Sequence, residues 1–313
     1  VLDASGSMDD PMSRSDTTKR IEALKTAVNN FITSAAEQNA RIKDNDKKIK
    51  LSIVKFAGKT KDAVGNDTYR SGGYTHNYSQ IVKELTVCEN SGATALTTAV
   101  NAIKPNGSTQ ADYGLQQAQK ALESARPDAK KIVIFFTDGT PTSGSEFEPE
   151  VASSAIEKAK FLKEAGTVVY TVGIFNGAKP TADVNANGTS KENKFMQAVS
   201  SNYPLATYTW TPTGLLGIRG YWSWNLGTRP ANTNYYLAAS SAGGLNQVFA
   251  DIFTSISTKP AGPTHVTDKP QNGGYVTFDD TLGDYMKVQN FEAVAFATQV
   301  FKEKTVETNT AGN

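Results

Sequence analysis

The chain has 313 residues, which is enough for one large domain or two ordinary ones with a sizeable buried core. Its 32 Lys and Arg residues nearly balance 31 Asp and Glu residues and form no basic tract, so the composition argues against nucleic acid as a partner. No apolar run approaches the roughly 20 residues of a membrane-spanning helix, and we expect no membrane insertion of this segment.

Helix and strand patterns alternate through the first 258 residues. Apolar residues recur at helical spacing in residues 18–36, and KIKLSIVKFAG then alternates as a strand. Two later runs, KIVIFFTDG and TVVYTVGIF, are almost continuously apolar, which is typical of parallel strands covered on both faces. Further helices are predicted near residues 111–122, 151–165, 191–201 and 245–256, and a last short strand at YYLAA. This order predicts an α/β fold with a doubly wound, mostly parallel sheet flanked by helices.

Two long stretches interrupt the alternation, at residues 59–107 and 176–234. Both are longer than a crossover needs, and we expect them to be inserted arms. The second contains Trp210, Trp222 and Trp224, broken by glycines. Two interpretations remain open for these tryptophans: a small β-excursion with its own core, or an exposed surface that binds a ligand.

The composition changes after residue 258. A Pro/Gly-rich stretch, TKPAGPTHVTDKPQNGG, is followed by short alternating segments with turn signals. We therefore expect a first domain at residues 1–258, and at residues 259–313 a linker with part of an all-β module. The single cysteine, Cys88, cannot form an internal disulfide, and with no histidine nearby in sequence we expect an inert thiol.

Oxygen-bearing side chains follow two of the predicted parallel strands. Asp3, Ser5 and Ser7 leave the first strand at spacing i, i+2, i+4, and Asp138 ends the strand KIVIFFT. If those strands are neighbours at the point where strand order reverses, their aspartates face one cleft. Thr109, at the start of a predicted helix, is a further candidate.

This set of side chains favours a particular class of metal. Hydroxyls and carboxylates without His or Cys are hard ligands, suited to Mg²⁺, Mn²⁺ or Ca²⁺ rather than zinc. Gly6, between the serines, is expected to remove a side chain that would obstruct the turn. The sequence therefore predicts a divalent-metal site built from Asp3, Ser5, Ser7, Thr109 and Asp138.

Three ordered motifs resemble a known family. DASGS at residues 3–7, the Thr109 loop before a helix, and FFTDGTP around Asp138 are similar to the metal-ion-dependent adhesion site of von Willebrand factor A domains, over residues 1–258. The resemblance implies a Rossmann-like fold and a divalent ion held by Ser5, Ser7 and Thr109, with Asp3 and Asp138 close or acting through water. It also implies that a sixth position is left for an acidic side chain of a partner.

The downstream segment VTFDDTLGDYMKV resembles the immunoglobulin-like β-module of Gram-positive pilus-tip adhesins, whose A domain carries long arms. This resemblance implies an extracellular adhesin on the bacterial surface or pilus tip, with a role in colonisation or virulence. Its partner would be a host or extracellular-matrix protein with an exposed acidic residue. Because no sorting signal or signal peptide is present, we interpret the chain as a fragment that joins pilus backbone subunits through regions outside it.

Alternatives from other classes are weaker. An intracellular A domain that serves as an assembly subunit of an AAA-type complex would carry the same motif, but it should adjoin an ATPase module or an acidic linker. We expect no enzyme, because His76 and His265 lie in polar sequence without a nucleophile and acid in a catalytic pattern. Asp9 and Asp10 resemble the paired acids of integrin β subunits, but they lie one position too close to the motif, and we expect a solvated acidic turn.

The arms carry two further expectations. Both follow strands whose carboxyl ends point to the metal face, so we expect them to project around it. The tryptophans of the second arm are the richest candidates for ligand contacts.

Overall fold

The computed structural model describes residues 1–61, 67–213 and 219–257, and the backbone of two short strands near the C-terminus. The chain divides into two compact units, Val1–Ser255 and Ile256–Asn313, which are described separately. No helix in the described ranges is long and apolar enough to span a bilayer.

The first unit contains ten strands and six α-helices within its described residues. In chain order the strands are β1 (Leu2–Asp3), β2 (Lys50–Phe56), β3 (Thr68–Ser71), β4 (Tyr74–Asn77), β5 (Gln80–Val87), β6 (Ile132–Thr137), β7 (Val168–Gly173), β8 (Thr207–Thr213), β9 (Arg219–Asn225) and β10 (Tyr236–Ala238). The helices are α1 (Arg20–Asn39), α2 (Asn90–Ala102), α3 (Ala111–Glu123), α4 (Pro149–Glu164), α5 (Lys191–Val199) and α6 (Ala242–Ser257), the last of which ends just inside the second unit.

Six of the strands form a central sheet in the order β10-β7-β6-β1-β2-β5. All neighbouring pairs are parallel except β2 and β5, which run antiparallel at one edge. Strand β1 lies between β2 and β6. Strands β2 and β5 extend the sheet on one side of β1, and β6, β7 and β10 extend it on the other. The predicted doubly wound, mostly parallel α/β sheet is confirmed.

Helices cover both faces of this sheet, as the continuous apolar pattern of β6 and β7 predicts. On one face Phe135 of β6 packs between Phe56 of β2 and Phe195 of α5. On the other face Phe136 packs near Phe249 of α6, which also contacts Phe31 of α1. Adjacent residues of one strand thus enter two different cores, so the strand has no polar face.

The stretch 59–107 is only partly an insertion. It contains the small hairpin β3–β4, but also the sheet strand β5 and the helix α2. The sequence patterns missed β5 because an edge strand is half-buried along its length. They missed α2 because its sequence, NSGATALTTAVNA, is rich in Thr and other weak helix formers and begins at Asn90, whose φ is +43°.

The stretch 176–234 contains the predicted helix α5 and a second hairpin, β8–β9, which pairs Trp210 with Trp222. It is therefore a β-excursion attached to the domain, with five residues at its tip outside the described range.

Little of the second unit is described. The strands β11 (Val294–Phe296) and β12 (Gln299–Phe301) pair antiparallel, with Val294 opposite Phe301. The predicted linker, His265 and the segment VTFDDTLGDYMKV lie outside the described residues. The expected boundary between residues 258 and 259 stays a prediction.

Candidate metal-ion site

Asp3 and Asp138 lie at the carboxyl ends of neighbouring strands. Asp3 is the last residue of β1, and Leu2 pairs with Phe136 of β6, which ends one residue before Asp138. The two strands are therefore adjacent where the direction of strand order reverses, the place where open α/β sheets bind ligands. Both aspartates are buried.

Asp3 is held by two hydrogen bonds. Its Oδ1 accepts the backbone N–H of Ser5 at 2.8 Å, and its Oδ2 accepts the hydroxyl of Thr137 at 2.7 Å. The first bond is the local turn that Asp adopts at the end of a strand. Each carboxylate oxygen already has a partner, so Asp3 suits contact with a metal through water.

Two serines connect Asp3 to Asp138. The hydroxyls of Ser5 and Ser7 are 3.1 Å apart, and the Ser7 hydroxyl donates to Asp138 Oδ1 at 2.9 Å. Adjacent oxygen ligands of an octahedral ion with bonds of about 2.1 Å are separated by about 3 Å. The donor spacing therefore fits a small divalent cation.

Thr109 is positioned by the backbone. In the loop before Thr109, the backbone N–H of Asn106 donates to the carbonyl of Ala4 at 2.8 Å, and the carbonyl of Gly107 accepts the N–H of Gly6 at 2.9 Å. Gly107 has a φ of +97°, a conformation that strains other residues. Within the described part of the chain, no hydrogen bond joins the Thr109 hydroxyl to the other four predicted ligands.

A second backbone pair connects Thr109 to the loop after Asp138. Thr109 and Thr142 exchange two hydrogen bonds, at 2.9 and 3.0 Å. All three motifs thus meet at one edge of the sheet, as their order along the strands predicted.

The role expected for Gly6 is wrong. A Cβ added to Gly6 would lie 3.5 Å from its nearest neighbour, the carbonyl oxygen of Gly107, which is an ordinary contact. The turn is shaped instead by the hydrogen bond from Ser5 to Asp3 and by a short 3₁₀ helix at Gly6–Asp9.

Sequence reasoning missed Arg20, the first residue of α1. Its Nη1 donates to Asp138 Oδ2 at 2.8 Å and to the carbonyl of Ser7 at 3.3 Å. The only signal in the sequence was a basic residue at a helix start, where acidic residues are the usual choice. Asp9 and Asp10 are exposed; Asp9 pairs with Lys19 at 2.9 Å, which fits the expected solvated turn.

The charges at the site are incompletely balanced. Burial, and next the negative charge of Asp138, raise the pKa of Asp3 to about 7. The two buried carboxylates, Asp3 and Asp138, have one cationic side chain beside them, that of Arg20. The hydroxyls around them are hard metal ligands. No group of three or more His, Cys, Asp and Glu that could hold a metal occurs in residues 1–61, 67–213 and 219–257. A cation here would depend on the hydroxyls.

The first arm contacts the site directly. The side-chain amide of Asn77, at the end of the β3–β4 hairpin, donates to the carbonyl of Ala4 at 2.8 Å and to that of Lys104 at 2.7 Å. His76 of the same strand lies against Gly107, where an added Cβ would come within 3.1 Å of it, and its ring stacks on Tyr69. The base of this hairpin therefore supports the loops that carry Ser5 and Thr109.

A pocket of about 680 Å³ is lined at one end by Asp138 and the two residues after it. It lies between the loop after β6, the loop after β7 and the start of α5, and its charged lining residues include Lys179, Asp183 and Glu192.

The second hairpin begins from a packed base. Tyr208, which is buried, stacks on Trp224 with ring centroids 3.9 Å apart and contacts Phe147 in the loop after Asp138. Trp222 packs against the same Tyr208. Trp210 is different, because 43% of its surface is exposed. The hairpin thus has its own small core, and of the three tryptophans Trp210 presents the most accessible ring.

Cys88 is buried, donates its thiol to the carbonyl of Ile32 and has its pKa raised to about 11 by burial. This environment fits the inert thiol expected from the sequence.

A family model for the von Willebrand factor type A domain matches residues 1–207. The chain belongs to this family. Domains of the family commonly bind a divalent metal. No curated protein sequence matches the chain.

Several solved structures are similar to this chain. The PilB minor pilin from Streptococcus sanguinis is 15% identical, with a TM-score of 0.50 over 82% of this chain and 60% of that chain. The von Willebrand domain of the type V pili tip protein Mfa5 from Porphyromonas gingivalis is 11% identical (TM-score 0.44, 82% and 93%), and manganese-loaded TRAP from Plasmodium vivax is 19% identical (TM-score 0.44, 80% and 69%). At these identities the likeness to PilB shows the fold alone. The chain covers about three fifths of PilB.

Proposed function

We propose that this von Willebrand A domain is a cell-surface adhesin that binds an acidic side chain of a host or matrix protein through a divalent ion. The observation that carries the proposal is the set of two buried carboxylates and two hydroxyls, one buried and one partly buried, at the switch point of the sheet, with oxygen–oxygen distances of 2.9 and 3.1 Å. Mg²⁺ or Mn²⁺ suits this spacing best, and Ca²⁺ would need longer bonds.

The side chains divide the work of holding the ion. Ser5, Ser7 and Thr109 would bind it directly through hydroxyls, while Asp3 and Asp138 compensate its charge from positions fixed by their own hydrogen bonds. When bound, the ion supplies an incompletely neutralised centre that attracts a carboxylate. We propose binding without catalysis, because the carboxylates of Asp3 and Asp138 already accept hydrogen bonds from neighbouring side chains.

The setting of the domain is also a proposal. PilB, which shares the fold, is a minor pilin. Together with the two hairpins that extend from the domain, this likeness supports a place on the surface or pilus tip of a Gram-positive bacterium. Contacts with pilus backbone subunits would then involve regions outside this chain.

Selectivity among partners needs more than the ion, because a metal attracts any accessible carboxylate. We propose that Trp210 on the second hairpin, the most exposed of the three tryptophans, adds contact area. Trp222 packs against Trp210, and Trp224 stacks on Tyr208 in the base of the hairpin, so neither offers an equally open ring.

The Trp210→Ala variant tests this division. We expect at least about tenfold weaker binding to a responsive matrix protein, with unchanged Mn²⁺ affinity and melting temperature, because half-exposed aromatic anchors contribute roughly 2 kcal/mol to interfaces. The measurement is surface plasmon resonance against immobilised collagen, fibronectin and fibrinogen in Mg²⁺. Tyr74→Ala, which removes a more exposed ring from the other hairpin (74% against 43% for Trp210), is the control.

The same immobilised matrix proteins test whether the partner contributes an acidic residue to binding. Amidation of the carboxylates of the immobilised protein should remove the signal, and undiminished binding to the amidated protein would disprove the proposed mode of recognition.

A further inference from the structure

Arg20 is the one basic side chain in the described residues that makes an ion pair with a predicted ligand of the metal site. Its Nη1 lies 2.8 Å from Asp138 Oδ2, and the Asp138 side chain has no exposed surface while that of Arg20 is 19% exposed. The other oxygen of Asp138 accepts the Ser7 hydroxyl. The guanidinium therefore binds Oδ2 of Asp138 and leaves Oδ1 to accept the Ser7 hydroxyl.

The position of Arg20 is fixed from its own backbone. Its N–H donates to the carbonyl of Asp10 at 2.9 Å, which anchors the start of α1 against the loop that carries the serines. The Asp10 carboxylate is 3.9 Å from Nη1 but is 65% exposed, and Asp9 is paired with Lys19. The buried neighbour of the guanidinium is thus Asp138.

Arg20 uses only part of its hydrogen-bonding capacity. Its Nε is buried and has no hydrogen-bond partner within the described residues. An arginine selected only to tie two elements together normally uses its planar fork for two parallel bonds. Arg20 bonds Asp138 through the single nitrogen Nη1. This contact points to an effect of Arg20 on the net charge of the site.

The charge of the cluster follows from its members. With both carboxylates ionised, Asp3, Asp138 and Arg20 sum to −1, so a dication would leave the cluster at +1, whereas the same site without Arg20 would be neutral. The positive charge of Arg20 repels the dication and so opposes its binding. Once the dication is bound, the same charge leaves the cluster with a net positive charge that attracts an incoming carboxylate.

We propose that Arg20 tunes the site: it weakens metal binding and strengthens the attraction of the loaded site for a partner's carboxylate. This inference rests on the proposed function and names a positioning residue that acts through Asp138. It makes the two affinities move in opposite directions when Arg20 is replaced, which a merely structural residue would not do.

The test uses the full 313-residue chain stripped of metal. Calorimetric titration with Mn²⁺ gives the metal affinity, and acetate displacement of Mn²⁺-bound water, followed by water-proton relaxation, gives the affinity for a carboxylate. In Arg20→Met we expect Mn²⁺ to bind about tenfold tighter and acetate about tenfold weaker, since one unit charge near a dication is removed. Arg20→Lys, which keeps the charge, should stay close to the wild type.

Two controls make the result decisive. Arg126→Met removes an arginine that bonds a carbonyl away from the site, and it should change neither affinity. Melting curves of the metal-free proteins verify folding, and Arg20→Gln replaces the Met variant if that one unfolds. Unchanged or weaker Mn²⁺ binding in a folded, charge-free variant would overturn the role of Arg20 alone, whereas a wild-type chain that takes up no Mn²⁺ would overturn the proposed function as well.

Discussion

Replacing Asp138 with asparagine will weaken Mn²⁺ and Mg²⁺ binding by at least about a hundredfold, since a buried charge near a dication contributes several kcal/mol. Asparagine keeps the size of the side chain and an oxygen for the Ser7 hydroxyl, so the geometry at 2.9 Å can persist. What is lost is one of two negative charges, which leaves Arg20 and Asp3 to cancel each other before any cation arrives. Isothermal titration calorimetry on the metal-free chain gives the measurement.

Asp183→Asn is the matched control, because it removes an exposed carboxylate from the neighbouring pocket without touching a predicted ligand. Equal loss of affinity in both variants would mean a diffuse electrostatic effect, and unchanged affinity in Asp138→Asn would remove Asp138 from the site.

The structure also decides between an alanine and an asparagine variant. A strand-end carboxylate that faced solvent could be removed with little effect on the fold. In the fold Asp138 is buried and bonded to Ser7 and Arg20. Asp138→Ala would leave the Arg20 guanidinium without its buried partner, so asparagine is the cleaner substitution.

Phe56→Ala should lower the free energy of unfolding by about 3–5 kcal/mol, the usual range for a large buried aromatic. Phe56 has no exposed surface and stacks on Phe135 with ring centroids 5.1 Å apart. Helix α3 packs directly on it at Gly114, where an added Cβ would lie 2.7 Å from the ring. If α3 moved inward to fill the cavity left by the missing ring, the Thr109 loop, which lies directly before α3, would have to move with it.

Chemical denaturation measures this loss, with Phe161→Ala on the exposed face of α4 as control, since that ring is 63% exposed. The control should change stability by less than about 0.5 kcal/mol. Metal affinity should also fall in Phe56→Ala, because the carbonyl of Phe56 accepts the N–H of Ala4 and the next carbonyl accepts that of Gln110. A loss of stability below about 1 kcal/mol would contradict this account of the core.

Much of the fold was predictable because long apolar runs have few alternatives. The buried strands β6 and β7 and the helices α1 and α6 followed directly from their periodicity. The convergence of Asp3 and Asp138 followed from a geometric rule about parallel strands and needed no side-chain detail.

Other features depend on contacts that local sequence does not encode. The ion pair between Arg20 and Asp138 joins residues 118 positions apart, so the helix pattern alone shows only a polar residue at a helix start. The close approach at Gly114 depends on a ring in another strand, and Gly6, which looked necessary from its neighbours, has room for a side chain. Asn77 reaches the site only because the hairpin before it folds back onto Ala4.

The most direct test of metal-dependent adhesion is reversible removal of the ion from the intact chain while it is bound to a matrix protein surface. Binding is followed in Mg²⁺, then in excess EDTA, and then after Mn²⁺ is restored, with Asp138→Asn run in parallel. The account predicts full loss of binding in EDTA, recovery with Mn²⁺, and no binding by the variant in any of the three conditions. Adhesion of the wild-type chain that continues undiminished in EDTA would contradict it.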